Sequence, residues 1–153
     1  MTVRKPPPDF TLAGAQRAAA AGALPSWVHA YLLSGPWANP GLAYGLRHHP
    51  RWWCGPRLVP ITQLARCCGP EPELEYPMAV ATWEQRVGQI VAGLAAPEAL
   101  PPLIAEYRAG MRSVRDGNHR LAALARAGYR AAWVIIWYNT AADAATDTGQ
   151  APC

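Results

Sequence analysis

Ser113-Val114-Arg115-Asp116-Gly117-Asn118-His119-Arg120-Leu121-Ala122-Ala123-Leu124 is the stretch on which the reading of this chain turns. Met111 to Arg115 reads as a strand, and Asp116-Gly117 breaks it. A helix then runs from about Asn118 to Ala127, with Leu121, Leu124 and Ala125 on one face and Gly128 as its stop. Three polar side chains therefore fall in a first helical turn. The opening amides of a helix have no intrahelical acceptor, and the macrodipole is positive there. Such an end attracts an anion such as phosphate. Arg120 offers a bidentate clamp, and His119 a hydrogen bond or a proton. Gly117 permits close backbone approach. Asp116 is open to three roles: orienting His119, capping the helix, or holding a metal ion beside phosphates. The plain alternative is an ordinary Asp-Gly turn, with His119 and Arg120 facing water.

Working outward, Leu103 to Tyr107 and Met111 to Arg115 form a hairpin turned at Arg108-Ala109-Gly110. Ala131 to Tyr138 is continuously apolar, which suits a strand buried on both faces. This context sets the polar cluster at the end of a strand, where α/β proteins bind ligands. Farther upstream, Trp83, Val87, Ile90, Val91 and Leu94 recur at helical spacing from Thr82, and Pro97, Pro101 and Pro102 end that helix. Gly69 to Pro77, with three prolines and three glutamates, predicts a loop. Arg57 to Pro60 reads as a short strand and Ile61 to Ala65 as a helical turn. The first third reads as three helices. One is capped by Thr11 and stopped at Gly22, one is capped by Ser26 and runs Trp27 to Leu33, and one is capped by Asn39 with Pro40 following. The expected organisation is a disordered lead-in over 1–9, an N-terminal helical subdomain over 10–56, an α/β (α+β) domain over 57–138 with a small mixed sheet and flanking helices, and a disordered tail over 139–153.

Composition narrows the class. With 51% hydrophobic and 16% charged residues among 153, the chain is too apolar for disorder. No apolar run approaches the ~20 residues that span a bilayer, and no apolar h-region follows Arg4 and Lys5. The expectation is a cytoplasmic protein with no membrane partner. The net charge of +4 is carried almost wholly by arginine, which suits phosphate oxygens but is too small to prove a nucleic-acid partner. Cys67 and Cys68 are adjacent, poor geometry for pairing with each other, so a disulfide framework with Cys54 and Cys153 is not expected. His48, His49 and Cys54 lack zinc-ligand spacing. Trp52 and Trp53 read as glue between the helices and the sheet. Arg112 and Arg115 fall on opposite strand faces.

The run Asp116-Gly117-Asn118-His119-Arg120, with Leu121-Ala122-Ala123-Leu124, Gly128 and a final apolar strand after it, resembles the ParB/sulfiredoxin superfamily over roughly 57–138. The Gly69-Pro70-Glu71 loop, the Trp-led helix and Pro101-Pro102-Leu103-Ile104 are similar to small stand-alone ParB N-terminal-domain proteins. The resemblance implies nucleotide contact at the helix start, by Gly117, Asn118, His119 and Arg120. The superfamily spans CTP-dependent DNA clamps, an ATP-dependent sulfinic acid reductase, nucleotide-dependent serine kinases and proposed nucleases. Sulfiredoxins carry a cysteine just before the His-Arg pair where this chain has Asn118, so thiol repair is not expected. Partition proteins follow this domain with a helix-turn-helix domain, whereas this sequence stops about 15 residues after the last expected strand, so a sequence-specific partition clamp is not expected either.

The expected cofactor is thus a nucleoside triphosphate, CTP or ATP, with Mg²⁺. NTP hydrolysis or phosphoryl transfer would need an acidic residue to hold the metal or accept a proton. Asp116 is the candidate metal ligand. Asp116, His119 and Glu71 are the candidate catalytic residues, Glu71 because related kinases place an acidic base in the corresponding loop. Two other readings remain: a non-enzymatic DNA- or partner-binding accessory protein, and a small metal-dependent nuclease.

Overall fold

The computed structural model describes residues 7–149, so most of the expected lead-in and the last residues of the expected tail lie outside it. Three helices open the described chain. Thr11 caps α1 (Leu12–Ala20), its hydroxyl accepting from the Gly14 amide at 3.1 Å. The second helix, α2 (Leu24–Leu32), starts before the expected cap Ser26, because Pro25 is tolerated in a first turn that needs no amide from it. Asn39 caps α3 (Pro40–Gly45) by accepting from the Leu42 amide at 3.2 Å.

The sheet strands are β1 (Trp52–Pro60), β2 (Leu64–Arg66), β5 (Leu103–Arg108), β6 (Met111–Asp116) and β7 (Ala131–Tyr138). They form one mixed sheet in the order β1-β7-β5-β6-β2. β1 is antiparallel to β7, β7 parallel to β5, β5 antiparallel to β6, and β6 parallel to β2. A separate two-residue pair joins β3 (Cys68–Gly69) to β4 (Tyr76–Pro77). The remaining helices are α4 (Val80–Gly93), α5 (Asn118–Arg126) and α6 (Ala141–Thr148). The expected fold class, a mixed α/β sheet flanked by helices, is the one observed. Strand β7 lies inside the sheet, between β1 and β5, and is buried from Val134 to Tyr138.

Four expectations are corrected. β1 begins at Trp52, not Arg57, because Trp52, Trp53 and Cys54 pair with Tyr138, Trp137 and Ile136. The expected subdomain boundary between 56 and 57 therefore falls inside a strand. Only Ile61–Gln63 makes a helical turn, and Leu64–Arg66 is an edge strand on β6. The 69–77 loop is mostly irregular but is pinned by the β3–β4 pair. The expected disordered tail contains α6. Thr140 caps that helix, and Asp147 on it accepts from Arg57 at 2.7 Å, from the Tyr138 hydroxyl at 2.6 Å and from Arg112.

Strand parity sorts the core into two layers. On one face Leu103, Ala105, Val114, Val134, Ile136 and Tyr138 pack with Leu121 and Leu124 of α5 and Ala144 of α6. On the other, Ile104, Ile135 and Trp137 pack under Ala15, Leu24, Trp27, Val28 and Leu32 of α1 and α2 and Ala43 of α3. α4 leans on α5 through Trp83, Val87 and Ala123. The same parity sends Arg112 to the α6 side and Arg115 to the other, as the sequence implied.

Candidate nucleotide-binding site

Gly117 makes the strand-to-helix corner with φ of 97°, a left-handed conformation in which a side chain is strained. A Cβ there would also lie 2.7 Å from both Arg120 Nη2 and Leu103 Cδ2. The corner is this tight because Arg120 folds back over it. Arg120 Nη2 donates to Asp116 Oδ2 at 2.9 Å, while Nη1 donates to the carbonyls of Pro101 at 2.7 Å and Pro102 at 3.1 Å. Burial raises the Asp116 carboxyl above its ordinary value, and the Arg120 charge opposes that rise only in part. Asp116 therefore anchors Arg120 and does not orient His119 by any hydrogen bond in the structure. Arg120 is half of an internal clamp.

Asn118 is only 6% exposed, and its amide is fully engaged. Its Oδ1 accepts from the Cys67 amide at 3.0 Å, and its Nδ2 donates to the Val114 carbonyl at 3.0 Å. The side chain ties β6 and α5 to the 67–68 segment and is not available to a phosphate. Its backbone amide, like those of His119 and Arg120, has no acceptor within the helix.

His119 packs against Trp83, ring centroids 4.5 Å apart, with Arg66 stacked on the same indole at 5.0 Å. Its buried Nε2 has no hydrogen-bond partner among the described residues. Burial, reinforced by the positive charges of Arg86 and Arg120, lowers its pKa, so at neutral pH it is an uncharged imidazole.

The helix start opens into a cavity of about 1030 Å³. Asp116, Gly117, His119 and Arg120 form one side. The N-terminal helices and the loop between α2 and α3 add Tyr31, Ser34 and Trp37 to the lining, and α4 adds Arg86 and Gln89. Glu106 and Arg115 line the sheet side. Glu106 is 7% exposed. Arg108 Nε lies 2.8 Å from its Oε1 but outside hydrogen-bonding alignment, and Arg115 Nε is 3.9 Å from its Oε2. Sequence reading missed Trp37, Arg86 and Glu106. Only Glu106 left a signal, as a carboxylate in the otherwise apolar run Leu103-Ile104-Ala105-Glu106-Tyr107.

Glu71 is not among the residues lining this cavity. Its carboxylate is held by Arg66, whose hydrogen bonds lower its pKa. The structure thus brings Asp116, Gly117, Asn118, His119 and Arg120 together and leaves Glu71 outside. Among the described residues no group of three or more His, Cys, Asp and Glu side chains is placed to hold a metal. A Mg²⁺ at Asp116 would have this one carboxylate and would need phosphate oxygens or water to complete its shell. No helix among the described residues is long and apolar enough to cross a membrane.

No protein-family model and no curated protein matches the chain. Among solved structures, a Pnob8-like ParB-N domain is similar at 16% identity with a TM-score of 0.34. The match covers 65% of this chain and 33% of that one, so the chain spans about a third of that structure's length.

Proposed function

We propose that this chain is a ParB-like nucleotide-binding domain whose ligand occupies the cavity at the start of α5. The observation that supports this reading is the opening of that helix start, with Gly117 and His119, into a single cavity of about 1030 Å³ lined by Arg86, Arg115 and Arg120. Small-ligand pockets run to roughly 1,000 Å³, so a nucleoside triphosphate fits. Its phosphates would lie against the first amides of α5, where the dipole is favourable. Arg86 has no carboxylate partner among the described residues and is the cation most available to them. Asp116 would share Mg²⁺ with the phosphates of CTP or ATP. Neutral His119 would be the proton-exchanging side chain if hydrolysis or phosphoryl transfer follows.

A second reading, binding without turnover, is favoured by the internal engagement of Asp116, Asn118 and Arg120. These side chains already hold the corner together, and a reaction would have to release some of them. Under this reading the protein is a cytoplasmic accessory factor acting on a partner or on nucleic acid. A metal-dependent nuclease would instead lean on Asp116.

The test is a thermal-shift titration of the purified protein with CTP, ATP, GTP and ADP, each with and without Mg²⁺. At a ligand concentration one hundred times Kd, binding stabilises by about 2.7 kcal/mol, a readily measured shift. Arg86→Ala is the informative variant, because Arg120→Ala would leave Asp116 buried without its counter-ion. The expected result is a shift in the wild type that Arg86→Ala weakens. No shift with any nucleotide would remove the proposal.

A further inference from the structure

The loop between α2 and α3 raises a tryptophan at the cavity that the α5 site does not use. Trp37 is 64% exposed, the most exposed large apolar side chain among the described residues. Leaving an indole in water forfeits much of the stabilisation its burial would bring. It is nevertheless held in place. The Arg86 guanidinium of α4 sits 3.9 Å from its ring centroid, a cation–π contact that covers part of the ring. The loop beneath is closed by backbone bonds from Ser34 N to Tyr31 O at 3.0 Å and from Asn39 N to Leu32 O at 2.6 Å. The ring is thus exposed, backed by a cation and carried on an ordered turn. It lines the same cavity as the start of α5.

From this placement we infer that Trp37 is the base-stacking platform of the site: a nucleobase stacks on its indole while the phosphates reach the first turn of α5. The inference rests on the nucleotide reading above and adds its other half. It gives the N-terminal helical layer a direct part in binding. Arg86 then serves both halves, fixing the indole and adding positive charge on the phosphate side. Stacking uses the π-face that every base has, so it discriminates weakly between bases. The platform predicts similar affinities for CTP, ATP and GTP.

Isothermal titration of the full chain tests this, with CTP, ATP, GTP and inorganic tripolyphosphate as ligands. The proteins are the wild type, Trp37→Ala and Trp37→Phe, each checked for an unchanged melting temperature. Loss of one base–aromatic stack corresponds to roughly 5- to 150-fold in affinity. The expected result is a loss of that size for all three nucleotides in Trp37→Ala, with most affinity kept in Trp37→Phe and tripolyphosphate binding unchanged. Nucleotide binding equal in Trp37→Ala and wild type would overturn the platform and leave the site at α5 standing. Equal losses for nucleotides and tripolyphosphate would also overturn it, because Trp37 would then act through the phosphates or the fold. Wild-type protein that binds none of the four ligands would overturn the nucleotide reading itself and the platform with it.

Discussion

His119 sits where burial and the charges of Arg86 and Arg120 all disfavour its protonated form, so its folded pKa lies below the ordinary 6.5 of the unfolded chain. Its contribution to stability is fully present above 6.5 and is lost as pH falls through the folded value. The denaturation midpoint of the wild type should therefore drop between neutral pH and about pH 5. His119→Phe keeps a ring against Trp83 and removes the titration, so its midpoint should fall less over the same range; parallel pH profiles would remove His119 as the cause. Asp116 works in the opposite sense. Its raised pKa gives stability that is fully present below 3.8 and is lost as pH rises through the folded value, and this term is common to both proteins. At this scale the corner was legible, because Asp-Gly followed by a helical pattern has few conformations open to it. The role of Asn118 was not legible. Nothing in the local pattern says that residues 67–68, fifty positions earlier in the chain, present two backbone amides to its side chain.

α6 is the element the sequence hid. Ala141-Ala142-Asp143-Ala144-Ala145-Thr146-Asp147-Thr148 has no large apolar residue, so periodicity has nothing to register. Thr140 caps it, and the helix is held by contacts made far away in the chain. Asp147 is 3% exposed and accepts from Arg57, Arg112 and the Tyr138 hydroxyl. Burial, and then the hydrogen bond to Asp147, push the Tyr138 hydroxyl pKa well above its ordinary value. Asp147→Ala would strand two partly buried guanidinium groups. Breaking a buried pair costs about 3–5 kcal/mol, and the lower end applies because Arg57 keeps some solvent contact. A urea midpoint lowered by an amount near that figure is expected, together with faster hydrogen exchange along 141–148. A change below about 0.5 kcal/mol, the size of an ordinary surface substitution, would mean that α6 is held by something else.

For the whole molecule, the N-terminal helices are one layer of the core. Ile104, Ile135 and Trp137 are buried only because α1, α2 and α3 lie over them. Each fully buried aliphatic side chain is worth about 1.5–3 kcal/mol, comparable in sum to the net stability of a small domain. The segment 57–138 made alone also lacks the Trp52–Cys54 part of β1 and all of α6. It should not fold cooperatively. A sharp thermal transition and a monomeric elution volume for that fragment would show the opposite. The same layering makes the cavity, since its lining joins the N-terminal helices to α4, the sheet and the start of α5.

The sequence by itself determined the strand–turn–helix corner at 116–120, the caps of α1 and α3, the hairpin, and the buried strand β7. Each rests on interactions within a few residues, and side-chain chemistry at short range reports those directly. The tertiary structure decided the start of β1, the existence of α6, the internal engagement of Asp116, Asn118 and Arg120, and the exclusion of Glu71 from the cavity. It also decided the meeting of Trp37, Arg86 and Glu106 around one space. These depend on which distant segments pack together, and that is settled only when the apolar faces of the whole chain are buried against one another.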